Sequence, residues 1–220
     1  MAGMDDHGRS VDPLARVCEV CVGLVPVDGA SIAVASDATI GEILYASDYV
    51  IRHAEAAQFT LGEGPCVEAL KLGHAVLVPD ISETSASAWP AFTTELADQP
   101  LGAIFAFPLQ SGAIDIGVLA MYRRQPSWFS IPELETVLQL ADLAALALLR
   151  SGHDQEWLTS LPRDRVKVHQ ATGMLTAQLG VPADQALIRL RGHAFATGRL
   201  VEDVARDILD HRIQLEDTSG

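Results

Sequence analysis

Two cysteines three residues apart, Cys18 and Cys21, set their thiols on one face of any helix that holds them, a spacing shared with metal and redox sites. No second pair follows, and the strand-to-helix context of a redox motif is missing, so the pair reads as apolar filler. Cys66 stands apart, and three cysteines are too few and too unevenly placed for a disulfide scaffold. Gly62-x-Gly64 suggests a nucleotide loop, but a G-x-G-x-x-G needs glycine where Val67 stands, and Pro65 intervenes. A turn with positive φ before a helix starting near Pro65 explains those glycines. Arg163, Lys167 and Gln170, spaced four and three, form a polar helical strip able to meet phosphate. No Ser/His/Asp set, H-E-x-x-H or P-loop occurs, which points away from catalysis.

The frame around these residues is a chain of 220, 49% hydrophobic and 20% charged, enough for one large or two small domains. Its 15 Lys+Arg against 29 Asp+Glu leave a net charge of -14, which excludes a globally basic protein that coats nucleic acid. Any such contact must be local. Residues 1–158 hold 7 Lys/Arg and 21 Asp/Glu, residues 159–213 hold 8 and 6, and the tail holds two acids, so the local charges are -14, +2 and -2. That asymmetry implies two modules with different partners. No apolar run approaches the roughly 18 residues of a membrane span, and Asp5 and Asp6 stand where a signal peptide would be basic, so a soluble cytoplasmic protein is expected.

Val11, Leu14, Cys18, Cys21 and Val25 recur at three and four and predict an amphipathic helix. Strands are expected over 31–36, 42–47, 75–78, 103–108 and 114–122, the last two joined through Gln110-Ser111-Gly112 as a hairpin. Short helices are expected over 65–72 and 89–97. Ser130-Ile-Pro-Glu133 has the form of a capping box, opening a helix that runs through Arg150. Five strands interleaved with helices give an α+β sheet domain over 11–150. A hinge or linker over 151–159 follows, and then three helices, 160–179, 182–197 and 201–212, stopped by Gly180 and Gly198, form a small all-α bundle over 160–213. The first of these has Leu161, Val168, Thr172, Leu175 and Leu179 on one face and Val166, Gly173 and Ala177 on a second. The second places Ala183, Leu187, Leu190 and Ala194 on one side. Two stripes on one helix call for two partners.

Leu61-Gly-Glu-Gly-Pro-Cys66, Gly73-His-Ala-Val-Leu-Val-Pro-Asp80, Trp89-Pro90, Phe105-Ala-Phe-Pro-Leu109 and Ile116-Gly-Val-Leu119 together resemble a bacterial GAF domain of the actinobacterial type. Arg163-Asp-Arg-Val-Lys-Val-His-Gln-Ala-Thr-Gly-Met-Leu175, with 186–194 and 199–205, resembles an ANTAR domain. The resemblance implies an antiparallel GAF sheet flanked by helices, and an ANTAR bundle that binds paired hairpin loops of a structured leader RNA, prevents a terminator from forming, and works as a homodimer under a sensor. It assigns RNA contact to Arg163, Arg165, Lys167, Gln170 and Arg199, and a small-molecule ligand, of unknown identity, to a pocket of Cys66, Trp89, Phe92 and Phe105. Thr172 departs from the pattern, since many members carry a basic residue there. Two other readings follow from the GAF resemblance: a methionine sulfoxide reductase with Cys66 as nucleophile, or a ligand-free dimerisation scaffold.

Overall fold

The computed structural model describes residues 12–36, 39–151 and 164–215. They divide into two compact units, the first holding the sheet and six helices, the second holding three helices.

The first unit opens with α1 (Pro13–Leu24), where the Asp12 carboxylate caps the Leu14 amide and Leu14, Cys18 and Cys21 are buried. β1 (Gly29–Ser36) and β2 (Thr39–Ala46) pair antiparallel, and β3 (Val76–Val78), β4 (Ala103–Ser111) and β5 (Ile114–Arg123) complete an antiparallel sheet of order β2-β1-β5-β4-β3. α2 (Tyr49–Leu61), α3 (Pro65–Leu72), α4 (Ile81–Ala88) and α5 (Pro90–Glu95) lie between β2 and β4 in the chain, and α6 (Ile131–Ser151) follows β5. The capping box forms as expected: the Ser130 amide donates to Glu133 at 2.7 Å, and the Glu133 amide to the Ser130 hydroxyl at 3.4 Å. Ser151 closes α6, and the rest of the expected hinge lies outside the described residues.

Alternation along the strands sends Ile32, Phe105, Phe107, Leu109, Leu119 and Met121 to one core with α1 and α6. Arg123, itself buried, fixes the start of α6 there. Its guanidinium donates to Ser127 and the Trp128 carbonyl, pairs with Glu133 at 3.4 Å and stacks over Phe129 at 4.6 Å.

Buried in that core, the Cys21 thiol is pushed up from 9.0 to about 11 by loss of solvent, and Cys18 is raised further, by burial first and then by Cys21. The folded chain therefore retains protons that the unfolded chain has released. The thiol contribution to stability is level below pH 9 and falls between pH 9 and 11, by roughly 2–3 kcal/mol for Cys21 alone. Thermal unfolding midpoints across that range should show the fall, and Cys18→Ala with Cys21→Ala should flatten its lower arm. Tyr122, raised from 10.0 to about 12 by burial and by its bond to Asp48, adds a further loss at higher pH.

The second unit comprises α7 (Asp164–Leu179), α8 (Ala183–Ala196) and α9 (Val201–Leu209). α7 buries Val168, Ala171, Thr172 and Leu175 against its neighbours. The Thr172 hydroxyl satisfies itself on the Val168 carbonyl at 2.7 Å, which is how a polar residue sits on the apolar face. α9 buries Val201, Val204, Ala205 and Ile208. On α8 the buried face is Ala186, Leu190 and Ala194; Ala183 is exposed and Leu187 only half-buried, so the expected face keeps Leu190 and Ala194 and takes Ala186 in place of Ala183 and Leu187.

Candidate functional site

In the first unit the sheet face opposite α1 and α6 carries a buried polar cluster. Gly64 (φ 127°) ends a tight turn after Gly62 (φ 71°), and Pro65 then begins α3, placing Cys66 in its first turn. The Cys66 amide donates to the Gln58 Oε1 at 2.7 Å, the Gln58 Nε2 donates to the Cys66 Sγ at 3.3 Å, and the thiol reaches the Glu55 Oε1 at 3.8 Å. The Ser31 hydroxyl donates to the same carboxylate oxygen at 2.9 Å. Ser31, Glu55, Gln58 and Cys66 are all fully buried. One strand and two helices are thus joined through side chains that each give up water, so every bond among them has to be made.

The expected ligand residues split. Trp89 and Phe92 belong to this side: the indole N–H donates to Glu68 at 3.0 Å, and the Phe92 amide to Glu63 at 2.9 Å, so α5 is tied to α3 and its turn. Phe105 is not with them. Its ring packs 4.2 Å from Phe129 in the α1 and α6 core, through the sheet from Cys66. Glu55 and Gln58 were missed in the sequence, because α2 buries them beside Ile51, Ala54 and Phe59 and so shows no polar stripe.

A Cβ at Gly64 would stand 2.5 Å from the Gln58 Cγ and 2.7 Å from its Oε1, at a φ that side chains resist. Gly64→Ala therefore displaces the amide that holds Cys66. We expect a loss of roughly 2–4 kcal/mol, seen as an earlier thermal transition of the full chain.

On the outside of the first unit, α1 and α6 leave a shallow groove of ≈ 350 Å³. Val17, Val20, Leu143 and Leu146 line it, with Arg16 and Arg150 among its polar residues. Leu138, Leu143, Leu146 and Leu149 along α6 are exposed.

In the second unit α7 turns Val166, His169, Gln170, Gly173 and Ala177 outward, opposite its buried face, and Lys167 is half-buried at the edge. The second stripe is therefore open to solvent, and Gln170 sits within it. Arg163 and the side chain of Arg165 lie outside the described residues. Arg199, between α8 and α9, pairs with Asp207 at 2.6 Å, and Arg212 joins the same carboxylate at 2.8 Å. Those two guanidinium bonds hold the Asp207 carboxyl below its usual range. Arg199 thus has a bond inside the bundle whatever else it touches.

Among the described residues no helix is long and apolar enough to cross a membrane, and no group of three or more His, Cys, Asp and Glu side chains could hold a metal ion.

Compared with known proteins, residues 12–149 match the family described as GAF domain, and residues 158–209 the family described as ANTAR domain. No curated protein matches the chain. Among solved structures, a GAF domain/HD domain protein from Geobacter sulfurreducens is 15% identical with a TM-score of 0.51, covering 65% of this chain and 94% of that one. A domain assigned to a two-component sensor histidine kinase protein from Sinorhizobium meliloti 1021 is 18% identical with a TM-score of 0.51, covering 64% and 92%. At these identities the likeness shows the fold of the first unit.

Proposed function

The chain belongs to the GAF domain family and carries an ANTAR domain behind it, and from that premise we propose a cytoplasmic, dimeric, signal-responsive antiterminator that grips paired hairpin loops of a leader transcript. The two-domain combination is regulatory: the ANTAR domain makes the chain an RNA-binding antitermination regulator, and the GAF domain is its sensor. The observation that carries the finer reading is the open face of α7. A helix whose one side is buried keeps Val166, Gln170, Gly173 and Ala177 exposed, within residues 159–213, the one of the three segments whose net charge is positive.

RNA loops present unstacked bases and closely spaced phosphates, which a few cationic and amide side chains can grip. We assign that grip to Arg163, Arg165, Lys167 and Gln170, with Arg199 held in place by Asp207 at the bundle's edge. The acidic first 158 residues repel polyanions within about a Debye length, ~8 Å at physiological salt, so only a shape-matched hairpin binds.

The signal enters on the Cys66 side of the sheet. Hydrogen bonds there join α2, α3 and α5, the elements that would have to part for a small molecule, with Trp89 and Phe92 beside them. Two copies pair through the open leucine face of α6 and its groove with α1, and a change in that pairing sets the spacing of the two RNA faces.

Selection of a library of stem-loops with a randomised loop on the full chain tests the reading. Enrichment of a shared loop sequence, with binding that weakens steeply as salt rises, is the expected result. A library that emerges as random as it entered would overturn it.

A further inference from the structure

We propose that Phe195 is a stacking platform for one unpaired base of the bound RNA loop, an inference that rests on the RNA-binding reading above. Phe195 is the only Phe, Trp or Tyr between residues 164 and 215, and a bundle this small would gain most by burying it. Instead its ring is 63% exposed, and Ile188, on the same face of α8, is 65% exposed. Ala186, Leu190 and Ala194 already fill the opposite, buried face.

Gly192 lies between Ile188 and Phe195, at spacings of four and three, and so shares their face. It has ordinary helical backbone, and a Cβ added there would meet nothing within 4 Å. Neither its backbone conformation nor packing within the chain calls for glycine, which weakens a helix interior. A flat ligand lying against α8 beside the ring does call for it. Residues 159–213 carry 8 Lys/Arg against 6 Asp/Glu, so the patch lies on the one of the three segments with a positive net charge, which favours a polyanion over a neutral partner. A base has two apolar faces, and an exposed phenyl ring with a gap alongside accepts one of them.

The probe is the stem-loop enriched on the wild-type full chain, with 2-aminopurine placed at each loop position in turn. Binding to the wild type should quench one position strongly. Phe195→Ala and Phe195→Leu should each weaken binding about tenfold, restore that fluorescence and leave the salt slope unchanged, because a ring releases no counterions. Phe195→Tyr should bind as the wild type does. Unchanged affinity of Phe195→Ala for an RNA that the wild type does enrich would overturn this proposal and leave RNA binding standing, and full activity of Phe195→Leu would reduce the ring to a plain apolar contact and overturn it too. If the wild type enriches no RNA, the broader reading fails and takes this one with it.

Discussion

Replacing Arg163 and Lys167 with glutamate lowers the affinity of the full chain for its selected hairpin by roughly a hundredfold, with the helical content retained. Each cation that neutralises a phosphate releases a counterion, so losing two flattens the dependence of log affinity on log salt by about two. Reversal also sets two carboxylates against the phosphates, on a chain that already carries -14. Gln170→Ala removes a hydrogen bond without a charge, and is expected to cost less and leave the slope alone. Arg199→Ala serves as a contrast. It breaks a 2.6 Å ion pair with Asp207, so the thermal midpoint of the bundle falls along with RNA affinity. Filter binding at several salt concentrations separates these three responses. Retained affinity in the double reversal would remove α7 from the interface.

The second large effect falls on assembly. Leu143→Glu with Leu146→Glu is expected to convert the full chain to a monomer at micromolar concentration, raising the dimer dissociation constant at least about a thousandfold. Both leucines are exposed and line the groove with α1, so the single chain should fold unaltered. In a symmetric pair each substitution acts twice, removing a buried leucine worth about 1.5–3 kcal/mol and placing a charge in an apolar contact. Paired hairpins engage two bundles at once, so the monomer should also lose about a hundredfold in affinity for a two-hairpin leader while keeping its affinity for one hairpin. Light scattering and binding to one- and two-hairpin RNAs report both. A dimer that survives both charges would place the interface elsewhere.

Much of the fold was legible because local chemistry and tertiary role agree. The strands alternate, Pro65 and Pro132 mark helix starts, and Gly180 and Gly198 end helices with φ of 66° and 62°. α2 was not legible, because its buried face carries Glu55 and Gln58, which sequence periodicity counts as solvent-facing. The same inversion hid the partners of Cys66. Phe105 was misplaced although the signal was there: Ala103, Phe105, Phe107 and Leu109 alternate onto one face, and that face belongs to α1 and α6. The Arg199 to Asp207 pair links residues from two segments of the bundle, so nothing in the spacing announces it. The open stripe of α7 was readable from the helical period alone, since Val166, Gly173 and Ala177 fall opposite Val168 and Leu175.

The most direct measurement is crosslinking of the full chain to RNA in its own cells, followed by sequencing of the attached fragments. The account predicts reads piled on leader regions with two closely spaced stem-loops overlapping a terminator, and loss of those reads in the Arg163→Glu, Lys167→Glu variant. Reads spread evenly over abundant transcripts, or equally strong in that variant, would contradict it.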